Sequence, residues 1–70
     1  MLNIENAIKV KERTLQAIRE LDAILLDLRG HCSETNFEKI KYGVGRSIGG
    51  ITMDILDPVL QQHPEIDDLR

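Results

Sequence analysis

Apolar side chains return every three or four positions from Ile4 to Leu28, the interval of an α-helix. One arc of that helix carries Ile4, Ala7, Ile8, Leu15, Ile18, Leu25 and Leu26. It continues round through Leu21, Leu28, Val10, Ala17 and Ile24. At 100° per residue the arc spans roughly 200°, about twice the stripe a helix needs to face one neighbour. Helix 1 is therefore expected over about 3–29, capped by Asn3, with Glu5 in the first turn and Gly30 as the residue that ends it.

A second helical pattern runs through Phe37, Ile40, Val44, Ile48, Ile51, Ile55 and Val59. Thr35 with Glu38 three residues on forms a capping-box spacing, so helix 2 is expected over about 36–56. Asp57-Pro58 reads as its end, because the residue before proline avoids the α region, and as the cap of a short helix 3 over about 58–62. His63-Pro64 closes that helix, leaving a tail over 63–70 whose acidic end, from Glu65, is expected to fray.

Four glycines interrupt helix 2: Gly43, Gly45, Gly49 and Gly50. Each costs a helix about 1 kcal/mol relative to alanine. Either another backbone approaches closely enough to offset this, or the helix is kinked or broken at Gly49-Gly50. Gly45 and Gly49 have the G-x-x-x-G spacing, and Tyr42, Met53, Leu56 and Leu60 share their side of the helix.

Two long helices joined by about five residues make an antiparallel hairpin. The fold class is all-α: a helical hairpin plus a short C-terminal helix. Surplus apolar surface on both helices predicts assembly into a four-helix bundle, with a homodimer as the simplest case and an unidentified protein partner as the other. The contact residues expected on this reading are Leu15, Ile18, Leu21, Leu25, Tyr42, Gly45, Gly49, Met53 and Leu56. Three charges, Lys11, Asp22 and Arg29, fall within the helix 1 stripe. The long side chains of Lys11 and Arg29 can snorkel to water. Alternatively, helix 1 meets its copy antiparallel, which sets Lys11 opposite Asp22 twice around a Leu15/Ile18 centre.

Length sharpens the expectation of assembly. Seventy residues make one domain, and a chain that short buries only about 60% of its unfolded surface. Cys32 is the single cysteine, so no internal disulfide supports it, and a reducing, cytoplasmic setting is expected. The opening stretch lacks the apolar segment of a signal peptide. Arg46, Asp54 and Asp57 lie in the most apolar run and argue against a membrane span.

The chain has few parts for chemistry. His31-Cys32 with a distant His63 falls short of the four ligands of a structural zinc site. Asp54 and Asp57 are three apart, but no nucleophile accompanies them. The glycine run matches neither the dinucleotide fingerprint nor the P-loop. No catalytic residue, metal or cofactor is therefore expected, and the chain reads as a non-enzymatic adaptor, regulator or inhibitor acting through protein–protein contact. The alternative is a small dimeric hairpin that binds RNA through Lys9, Lys11, Arg13, Arg19, Lys39 and Lys41. Interleaved Glu5, Glu12 and Glu20, a net charge of −3 and 3% aromatic residues argue against it.

Overall fold

The structure is a computed structural model and describes residues 1–67. It is all-helical: α1 (Ile4–Leu28) and α2 (Glu34–Ile51) form an antiparallel hairpin. A π turn (Thr52–Leu56) follows, then α3 (Asp57–Gln62) and a single 3₁₀ turn (Pro64–Ile66). The result is a rod of 45 × 19 × 16 Å, two helices thick.

Local chemistry sets the ends of α1. The Asn3 side chain accepts the Asn6 N–H at 2.8 Å. Gly30, at φ 81°, takes the left-handed conformation that ends the helix, and His31 N–H then bonds back to the Leu28 carbonyl at 2.9 Å. The cap of α2 is Ser33 and not Thr35: its hydroxyl accepts the Asn36 N–H at 3.1 Å. Capping there places Glu34 in the first turn, against the positive end of the helix dipole, and lengthens the helix.

The chain stays helical through Gly49 and Gly50. A Cβ added at Gly43, Gly45, Gly49 or Gly50 would meet nothing within 4 Å, so no backbone among the described residues closes on them.

The irregularity comes later, and Pro58 accounts for it. Asp57 was expected to cap a new helix, yet it has helical dihedrals (φ −59°, ψ −46°), and its N–H bonds to the Thr52 carbonyl five residues back. Pro58 has no N–H to give, and its ring would clash with the carbonyl four residues earlier. A widened turn relieves that clash while the chain keeps its direction. The turn also shifts the inward positions. Val44, Ile48 and Ile51 follow the seam with Thr52 half-buried beside them, and the next buried apolar residue is Leu56, five positions after Ile51. Leu56 is 7% exposed while Ile55, expected inside, is 44% exposed.

The core that results is thin. Ala7, Val44, Leu56 and Val59 are the buried apolar residues, joined by Thr14 and Lys11.

Candidate functional site

The most specific polar arrangement joins the two ends of the described chain. Leu2 N–H donates to Gln62 Oε1 at 3.0 Å, and the Leu2 carbonyl lies 2.7 Å from His63 Nε2. His63 Nδ1 lies 3.3 Å from Glu65 Oε2. A carbonyl and a carboxylate only accept, so both ring nitrogens are fully used when both carry protons. The Leu2 carbonyl first, then Glu65, accordingly raises the His63 pKa above its ordinary value. Hydrogen bonding from its own backbone N–H and from His63 lowers that of Glu65.

Lys11 adds a second tie. It is 8% exposed and its ammonium donates to the Ile66 carbonyl. The expectation that Lys11 snorkels to water is thus overturned; of the tail expected to fray, Glu65 and Ile66 fall in the 3₁₀ turn, and 68–70 lie outside the described residues. Lys11 stands near the centre of the inward stripe, and the 3₁₀ turn brings an acceptor to it.

The two opposed shifts give this clasp a pH window. His63, with its pKa raised, contributes stability fully present below about pH 6.5 and lost as pH rises through its folded value. Glu65, with its pKa lowered, contributes stability present above its unfolded pKa and lost as pH falls through the folded value. The clasp is therefore expected to be tightest in mildly acidic solution. NMR titration should show His63 with a midpoint above that of a free histidine. The urea midpoint should decrease as pH rises from about 6.5 through the raised His63 midpoint, and His63→Gln should flatten that decrease.

The expected contact residues divide by position. Leu15, Ile18, Leu21 and Leu25 are half-buried along α1, and Leu15 lines a hollow with Ile8, Lys11, Glu12, Glu65 and Ile66. Leu56 is buried in the core of the chain itself. Tyr42, Gly45, Gly49 and Met53 are exposed on α2 and the π turn. Arg46 lies over the Tyr42 ring, 5.8 Å from its centre, which places a charge on that side of α2.

Sequence reasoning did not single out a different feature, a groove between the two arms. Val10, Thr14 and Ala17 of α1 form one wall, and Ile51 and Ile55 form the other, with Arg13 the one charged side chain at its edge. Its signal was present as the seven-residue recurrence of Val10, Ala17 and Ile24, but the outward turn of Ile55 depends on the π turn.

Little else in the structure suggests chemistry. Cys32 is exposed, and its thiol lies 3.7 Å from the Leu28 carbonyl as a weak donor to the end of α1. Among the described residues no three His, Cys, Asp or Glu side chains come together in a way that could hold a metal ion, and no helix is long and apolar enough to cross a membrane. No family model, curated protein or solved structure matches this chain.

Proposed function

We propose that this chain is a non-enzymatic interaction module: a helical hairpin that assembles with itself and acts through protein–protein contact, as an adaptor, regulator or inhibitor. One observation carries the reading. Among the described residues four apolar side chains are buried, while Ile4, Ile8, Ile24, Leu26, Ile40 and Ile55 remain open to water. A protein of this size with a single cysteine is stabilised most simply by a partner's apolar surface. The single thiol, Cys32, suits a reducing, cytoplasmic compartment.

Light scattering at micromolar concentration is expected to give at least twice the 8.0 kDa chain mass. The melting temperature should rise with protein concentration, as mass action requires of a self-associating fold. A sharp, concentration-independent melt at monomer mass would overturn the reading.

A further inference from the structure

The geometry points to the groove between Val10/Thr14/Ala17 and Ile51/Ile55 as the surface on which a second copy of this chain docks, about a twofold axis. This rests on the reading of the chain as self-assembling and names the face.

Area is the first argument. The accessible surface is 5403 Å², whereas a folded monomer of 8.0 kDa exposes about 4,500 Å². The surplus of roughly 900 Å² is close to the ~800 Å² that each partner contributes to a standard interface.

Shape is the second. A twofold interface uses the same patch on both chains, so the patch must carry both the projection and the recess that receives it. This groove does. Ile55 is pushed outward by the π turn and stands as the projection. Thr14 and Ala17, both small, form the recess on the facing wall. Helical phase carries the same side further along the rod. Ile24 lies seven residues after Ala17, and Ile40 lies eleven before Ile51, both intervals close to whole turns. Ile24 and Ile40 are also open to water.

Charge is the third. Arg13 is the one charged residue at this groove. On the competing face of α2, the hollow beside Tyr42 is lined by Glu34, Glu38 and Lys39, and Arg46 covers the ring. Interface cores are depleted of charge, which favours the groove.

The test compares two carboxylates at exposed helical positions. Ala17→Glu puts one on the groove wall; Met53→Glu puts one at a 70% exposed site in the π turn. Circular dichroism should show both variants as helical as the parent. Ile55→Gln, on the opposite wall, decides the question if Ala17→Glu loses helicity. At equal micromolar concentration, the parent and Met53→Glu should keep the dimer mass, and Ala17→Glu and Ile55→Gln should fall to half of it. A dimer that survives Ala17→Glu and Ile55→Gln overturns the assignment of the face while leaving self-assembly standing. If Met53→Glu alone dissociates it, the partner sits on the opposite side of α2. A parent chain that is monomeric at every concentration overturns both the face and the reading beneath it.

Discussion

Truncating Leu56 to alanine is expected to destabilise the chain by about 2–4 kcal/mol, enough to unfold much of it at room temperature. Leu56 is 7% exposed at the point where the π turn meets α1, and a core with four buried apolar side chains among the described residues has little to collapse into the space left behind. Met53 lies in the same turn and is 70% exposed, so Met53→Ala should change stability by less than about 0.5 kcal/mol. Urea denaturation of the two variants side by side checks the register directly. If Leu56→Ala proves mild and Met53→Ala severe, the turn does not rotate the chain as described. The size of the expected loss reflects how thin the seam is.

Replacing Gly43, Gly45, Gly49 and Gly50 together by alanine should act in the other direction, raising stability by roughly 3–4 kcal/mol. All four lie in regular α-helix, none at positive φ, and an added methyl would meet open space at each. The gain comes from backbone freedom that alanine lacks in the unfolded chain. A loss of stability, together with a smaller oligomer, would mean that another chain closes on the Gly45/Gly49 side, as the G-x-x-x-G spacing first suggested. An increased urea midpoint at unchanged mass would establish that these glycines serve no close approach.

The hairpin was legible in the sequence because its determinants are local. Asn3 and Gly30 bound α1 by hydrogen bonds within a few residues of themselves, and the helical recurrence of leucine and isoleucine shows through any tertiary context. The start of α2 was harder to read. Ser33 and Thr35 are both competent caps, and the pull of Glu34 toward the first turn decides between them. The inward face beyond Ile51 could not be read from a constant period. Pro58 signalled a disturbance, but a break and a widened turn are both answers to a missing N–H, and only packing against α1 selects the second. The clasp was invisible for a different reason. Leu2 and His63 are separated by most of the chain, and nothing near either one announces the other. Lys11 gave a partial hint by sitting in mid-stripe, where its ammonium needs an acceptor supplied from elsewhere.

In genetic terms the π turn is one surplus codon. Removing the exposed Met53 would bring the inward residues from Val44 to His63 into a single unbroken series, since Leu56 and Val59 would each move one place closer to Ile51. The deletion alone would leave Pro58 in a regular helix, where it costs about 3 kcal/mol. Pro58→Ala alone would leave the surplus residue with no obstacle to explain it. Made together, the two changes should give an uninterrupted helix from Ser33 onward that folds at least as well as the parent, with circular dichroism and urea denaturation as the measure. The proline and the extra residue of the widened turn each accommodate the other, so a change to either alone costs stability that the paired change restores.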